Sequence, residues 1–319
     1  MNYKPIIIVA GEPNSVFFEL FFKVIKKKIR SPIILIASKK IIIKQAKILK
    51  HKISFNITNE SEIIKKKDNL KKINLIDIDF KQVSGFDKIT SKSNHYISSC
   101  FDVAIKLLKN NVSNKLINGP ISKKTFLKKK YNGITEYLAK KTNTKKFAMI
   151  IYNKNLSVCP LTTHIPIKHV SKKINKLEII NKVKLIDKFW KEKFSKKPKI
   201  GITGLNPHCE SIDNYNEDKS IILPVIKKLQ KIKYKIEGPL AADTIFLKKN
   251  RKKYDLIIGM YHDQVLTPIK TLFEYDAINI TIGLPFIRVS PDHGPNESML
   301  GKNKSNPLSL LNSIKFLDF

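Results

Sequence analysis

Three of the chain's seven histidines stand in short words that could do chemistry. They are His164 in Thr162-Thr163-His164-Ile165-Pro166, His208 in Gly204-Leu205-Asn206-Pro207-His208, and His262 in Met260-Tyr261-His262-Asp263-Gln264. Each follows, or nearly follows, an apolar run that reads as a buried strand: residues 148–152 with 156–161, then 200–203, then 256–259. Ligands of open α/β sheets bind at the carboxyl ends of such strands. Three imidazoles delivered from three strand ends can hold a divalent cation and leave positions open for substrate. Three unrelated polar or core histidines are the plainer alternative, and their matched placement weighs against it.

Further segments carry the residue types of an active site. Asn118-Gly119-Pro120-Ile121-Ser122-Lys123 reads as a strand end turning into a helix, whose N-terminus attracts anions. Thr135, in Gly133-Ile134-Thr135-Glu136, opens a helix as a cap or as a phosphate ligand. Asp243, in Gly238-Pro239-Leu240-Ala241-Ala242-Asp243-Thr244, either complements a helix dipole or approaches a metal and accepts a proton. Lys270 could neutralise a phosphate or carboxylate, or be one more solvated lysine. Alternation along residues 277–288 puts Asn279 and Thr281 on one face of a strand. Arg288 is one of only three arginines, with Arg30 and Arg251. It suits a bidentate anion contact, with a surface ion pair as the alternative. Ser290-Pro291-Asp292-His293-Gly294-Pro295 is a turn-rich polar loop that could meet a cofactor or simply bond to itself.

The elements that must position these residues alternate. Strands are expected at 5–10 and 33–36, with helices at 14–28 and from a Ser38 cap through residue 50. Residues 52–87 read as short strands and loops. A helical stripe runs through Tyr96, Ile97, Cys100, Val103, Ala104, Leu107 and Leu108. Later helices are expected near 177–194, 221–232, 241–249 and 309–317. This order is that of an α/β sandwich with a mainly parallel sheet. No GxGxxG follows the first strand, where Gly11-Glu12-Pro13-Asn14-Ser15 stands instead, so a Rossmann dinucleotide site is not supported.

Hydrophobic residues make up 42% of the 319, enough for a large core. No apolar run is long enough to span a bilayer, and residues 6–10 are too short for a signal peptide, so the cytosol is the expected location. Cys100, Cys159 and Cys209 are odd in number and lack CxxC spacing, so neither a disulfide framework nor a zinc ribbon is suggested. The formal charge is +35, from 61 Lys plus Arg against 26 Asp plus Glu. The lysines are spread along the chain and arginine is nearly absent, which disfavours nucleic-acid reading as the main function. A basic nucleic-acid-binding protein stays a distant alternative, and anionic small substrates would be steered inward.

Taken in order, these words resemble the 4-hydroxythreonine-4-phosphate dehydrogenase family of vitamin B6 biosynthesis, from Gly11 to the C-terminal helix. The resemblance implies an α/β fold of two α/β/α lobes, isocitrate/isopropylmalate dehydrogenase-like, with residues 1–125 plus 295–319 in the first lobe and 126–294 in the second. It implies NAD or NADP as oxidant, one divalent metal (Zn, Mg or Co), and a homodimer with shared active sites. His164, His208 and His262 would bind the metal, His262 coming from the partner subunit. Thr135, Lys270, Asn279 and Arg288 would hold a small phosphorylated amino-acid substrate, with Asp243 and Lys270 catalytic. Ser290, Asp292 and His293 would lie near the dinucleotide. The chain departs from the family pattern at Ile134, where the family carries His, in the first βα turn, and in the stretch from Cys209 to Glu217. Ile134 favours a sister activity on another phosphorylated hydroxy acid, such as a threonate or erythronate phosphate.

Overall fold

The computed structural model describes residues 3–66, 69–127, 131–213 and 215–319, which divide into two compact units. Unit 1 comprises Met1–Lys141 with Pro285–Phe319, and unit 2 comprises Thr142–Leu284. Unit 1 opens with β1 (Ile6–Val9), α1 (Phe17–Val24), β2 (Ile33–Ala37), α2 (Lys39–Ile48), β3 (Asn56–Thr58), α3 (Glu60–Lys65), β4 (Ile73–Asp77), α4 (Asn94–Lys109), β5 (Lys115–Asn118) and α5 (Ile134–Lys141). Unit 2 holds β6 (Ala148–Asn153), β7 (Leu156–Thr162), α6 (Val170–Lys173), α7 (Lys176–Phe194), β8 (Ile200–Thr203), α8 (Leu223–Lys231), β9 (Ile236–Leu240), α9 (Ala242–Ile245), α10 (Lys248–Arg251), β10 (Leu256–Tyr261), α11 (His262–Phe273) and β11 (Ile278–Ile282). The chain returns to unit 1 as β12 (Ile287–Pro291) and α12 (Leu308–Leu317).

The strands of unit 1 run β3-β4-β2-β1-β5-β12, each pair parallel. β1 and β2 are apolar and buried throughout, as strands covered on both faces must be. In unit 2 the order is β11-β6-β7-β10-β8-β9. β7, β10, β8 and β9 are parallel neighbours, while β6 runs antiparallel to β7 and to β11.

Several expectations are met and several are redrawn. The stripe on α4 is buried at Tyr96, Ile97, Cys100, Ala104, Leu107 and Leu108, and Phe101 and Ile105 widen it. Residues 52–87 hold a helix, α3, besides strands: the Asn59 side chain accepts from the Glu62 N–H at 3.0 Å and caps it. Ser38 precedes α2 but makes no side-chain cap; Asp77 accepts the Lys39 N–H at 2.8 Å instead. The helix expected over 241–249 breaks into α9 and α10 because Leu247 is extended. Donors from Asn250 and Arg251 then satisfy the carbonyls of Thr244 and Phe246 at 2.9 and 2.8 Å.

The first βα turn of unit 1 is stacked on the turn after β5. Gly119 N–H donates to the Val9 carbonyl at 2.8 Å, and Glu12 N–H to the Pro120 carbonyl at 2.9 Å. A Cβ on Gly119 would lie 2.1 Å from the Ala10 oxygen and 2.7 Å from the Phe17 ring. Backbone cannot give way there, so Gly119→Ala is expected to cost about 3 kcal/mol in urea unfolding. An unchanged midpoint would mean that the two turns slide freely.

Candidate active site

Four adjacent parallel strands of unit 2 each deliver one candidate residue from their carboxyl ends. His164 follows β7, His262 opens α11 directly after β10, His208 lies in the turn after β8, and Asp243 sits in the first turn of α9 after β9. Register keeps the ends level: Tyr261 pairs with Thr162, and Ile258 with both Cys159 and Ile202. Two of the histidines are held in left-handed backbone, His164 at φ 48° and His208 at φ 52°. That region is uncommon for non-glycine residues, although histidine enters it more readily than most.

The surroundings of these strand ends are polar and specific. Gln264 Oε1 accepts from the Met260 N–H at 2.7 Å and from the Thr203 hydroxyl at 2.8 Å, while its Nε2 donates to the Gly204 carbonyl at 2.8 Å. One amide thus pins the end of β10 to the end of β8. Thr162 does the same between β7 and β10 through its hydroxyl, which donates to the Met260 carbonyl at 2.7 Å. Asp218, fully buried, grips the loop that carries His208. Its carboxylate accepts from Leu205 N–H at 2.7 Å, Asn206 N–H at 3.1 Å and Asn206 Nδ2 at 2.9 Å. Gly259 lets α11 lie close on β10, since a Cβ there would meet Val265 at 2.3 Å. Gln264 stands two residues after His262, and Asp218 directly follows the stretch Cys209 to Glu217 that departs from the family pattern. Asn214 of that stretch lies outside the described residues.

The rings of His164 and His262 are 5.4 Å apart between centroids, and His262 Nδ1 is 2.6 Å from Asp263 Oδ1. His208 Nδ1 is 3.9 Å from Asp243 Oδ2, both side chains being largely exposed. Among the described residues, no group of three or more His, Cys, Asp and Glu side chains could hold a metal ion. Among the described residues the ligand-type side chains stand as two pairs, His164 with His262 and His208 with Asp243. Burial and the nearby Asp218 push the Cys209 thiol up.

Lys270 lies two turns along α11 from His262 and is exposed. Asn279, on β11, has a buried Oδ1 with no hydrogen-bond partner.

In unit 1, Arg288 is 1% exposed, which rules out a surface ion pair. Its Nε donates to Asn118 Oδ1 at 2.7 Å, and Glu136 is the charge that supports it. Burial pushes its guanidinium down to about 9, still cationic at neutral pH. Thr135, beside Glu136 on α5, is also buried, and Ile134 is the first residue of that helix. Among the described residues, the Asn-Gly-Pro turn leads into a five-residue π-helical turn, Lys123–Leu127. Ser290 is buried on β12, the Asp292 N–H donates to the Ser309 hydroxyl at 2.9 Å, and His293 Nδ1 lies 3.0 Å from the Gly294 carbonyl.

Parallel strands with ligand-type residues at their carboxyl ends, and no glycine-rich fingerprint, define an isocitrate/isopropylmalate dehydrogenase-like α/β fold. The β-decarboxylating dehydrogenase of Thermococcus kodakarensis shares that fold at a TM-score of 0.50, with 10% identity, over 98% of this chain and 81% of that one. The family is narrower. The chain belongs to the pyridoxal phosphate biosynthetic protein PdxA family, whose model matches residues 28–317. It is 38% identical to the 4-hydroxythreonine-4-phosphate dehydrogenase of Sulfurihydrogenibium sp. over 97% of this chain and 95% of that one. A D-threonate 4-phosphate dehydrogenase of Pectobacterium atrosepticum is 34% identical over 58% of this chain and 57% of that one. The crystal structure of the 4-hydroxythreonine-4-phosphate dehydrogenase of Klebsiella pneumoniae matches at a TM-score of 0.82 and 25% identity, over 98% of each chain.

Proposed function

We propose that the chain oxidises 4-phosphohydroxy-L-threonine with NAD or NADP, in pyridoxal phosphate biosynthesis. The product is a β-keto acid that loses carbon dioxide to give 3-amino-2-oxopropyl phosphate. The observation that carries this reading is the set of His164, His262, His208 and Asp243 on four neighbouring strand ends, in a chain of this family. Asp243 would take the hydroxyl proton of the substrate carbinol, and NAD or NADP, when bound, would supply the two-electron oxidation that turns the carbinol into a carbonyl. Lys270 and Arg288 are assigned to the anionic groups of the substrate, Thr135 to its phosphate, and Asn279 offers its unpartnered Oδ1 to a substrate donor. Ser290, Asp292 and His293 are assigned to the dinucleotide.

His164, His208 and His262 are proposed donors for a divalent metal, Zn, Mg or Co. The reading includes a cytosolic homodimer with shared sites, in which the partner subunit's His262 joins His164 and His208. Among the described residues, no helix is long and apolar enough to cross a membrane. His208→Ala is expected to lose bound metal, measured by elemental analysis, together with NAD(P) reduction. A variant that keeps full turnover without metal would remove His208 from the site.

A second reading, oxidation of a threonate or erythronate phosphate, is favoured by Ile134 at the head of α5, where the family carries a histidine. NAD(P) reduction by the purified chain on each phosphorylated acid decides between them. A kcat/KM higher on a threonate phosphate than on 4-phosphohydroxy-L-threonine would overturn the first.

A further inference from the structure

Unit 1 holds a cavity of about 600 Å³ that none of the assigned residues line. It opens where the segments after β1 and β4 meet the N-terminal half of α2, which follows β2, the carboxyl edge at which parallel sheets take ligands. Five of its twelve lining residues are lysines, Lys40, Lys44, Lys81, Lys88 and Lys92, against one carboxylate, Asp87. Lys and Arg together are only 61 of 319 residues, so the lining is enriched well beyond the basic background of the chain. Lys40 is partly neutralised by Asp79 at 2.8 Å just outside the lining. Lys44 points its ammonium at the Gln82 and Val83 carbonyls, which hold it in place without cancelling its charge.

The walls are built, not loose. Asn14 and Gln82 exchange a reciprocal pair of amide hydrogen bonds at 3.0 Å, and Asn14 Oδ1 also accepts the Asp87 N–H at 2.9 Å. Gln45 Nε2 donates to the carbonyls of Pro13 and Gly85, both at 2.8 Å. These bonds fix the segment 80–88 to the first βα turn, and they give Asn14, one of the departures from the family pattern, a structural role. Phe80, packed on Tyr96 at 5.1 Å, adds a flat apolar wall.

We propose that this cavity binds a small molecule carrying a diphosphate group. Lysines serve as point charges for phosphate oxygens, and a cleft of this volume admits a nucleotide. The diphosphate could be free or part of a nucleotide, with Phe80 meeting the base in the second case.

Calorimetric titration of the whole chain with inorganic pyrophosphate, at about 0.15 M salt, tests it. Saturable 1:1 binding is expected, weakened about tenfold or more by Lys88→Gln with Lys92→Gln, while turnover by the same variant is kept. ADP binding more tightly than pyrophosphate, with the difference lost in Phe80→Leu, points to a nucleotide. Equal affinities point to the free diphosphate. Absence of saturable binding, binding indifferent to the two lysines, or pyrophosphate displaced by NAD or NADP would each overturn the proposal. Because binding is read directly, these outcomes do not depend on whether the dehydrogenase reading holds.

Discussion

Arg288→Ala is expected to destabilise the protein by about 3 kcal/mol or more and to abolish turnover. The guanidinium is buried, its Nε is bonded to Asn118 Oδ1 at 2.7 Å, and Glu136 is its charge partner. Removing it leaves an acceptor and a carboxylate without compensation in a dry setting, where each unmade bond carries its full desolvation cost. Arg288→Lys separates fold from function. It restores the positive charge, so most of the stability should return. It does not restore the planar fork, so kcat/KM on a phosphorylated substrate should stay about 10²-fold down. Urea midpoints and steady-state kinetics on both variants check this. A lysine variant with unaltered kcat/KM would make Arg288 a core cation and nothing more.

Asp218→Ala has the second large expected effect, a loss of about 3–5 kcal/mol. Its carboxylate accepts three N–H groups from Leu205 and Asn206, the residues that lead into His208. Without them the left-handed backbone of His208 and Cys209, at φ 52° and 63°, is no longer imposed. Asp218→Asn keeps one acceptor and turns an amide toward the remaining donors, so it should fall between the two. A merely structural role would lower the melting temperature and leave metal affinity alone. A role in holding His208 in place also weakens divalent-metal binding, by about 10- to 100-fold as for other residues that orient ligands. Thermal unfolding and metal titration of the folded Asp218→Asn protein distinguish the two.

What was legible in the sequence was local. Alternating strand and helix signals were enough for a parallel α/β architecture, because period and capping are read within a window of a few residues. The three histidine words were legible for the same reason, each a short apolar run followed by its ligand-type residue. The α4 stripe was legible from its spacing, whereas α3 was hidden by flanking lysines that show no apolar period.

Tertiary structure alone decided the rest. The bond between Arg288 and Asn118 spans 170 positions, and it exists because β12 pairs with β5 in a register that sets Arg288 against Leu116. That His164 lies beside His262, with His208 beside Asp243, follows from the strand order β7-β10-β8-β9, which no local pattern encodes. Gln264 and Asp218 matter only because their partners arrive from other strands and turns. The lysine-lined cavity gathers positions from 14 to 93, each of them ordinary in a chain this basic. Local propensity is a property of neighbours in sequence. A site is a property of neighbours in space, and it appears only once the registers of the sheet are set.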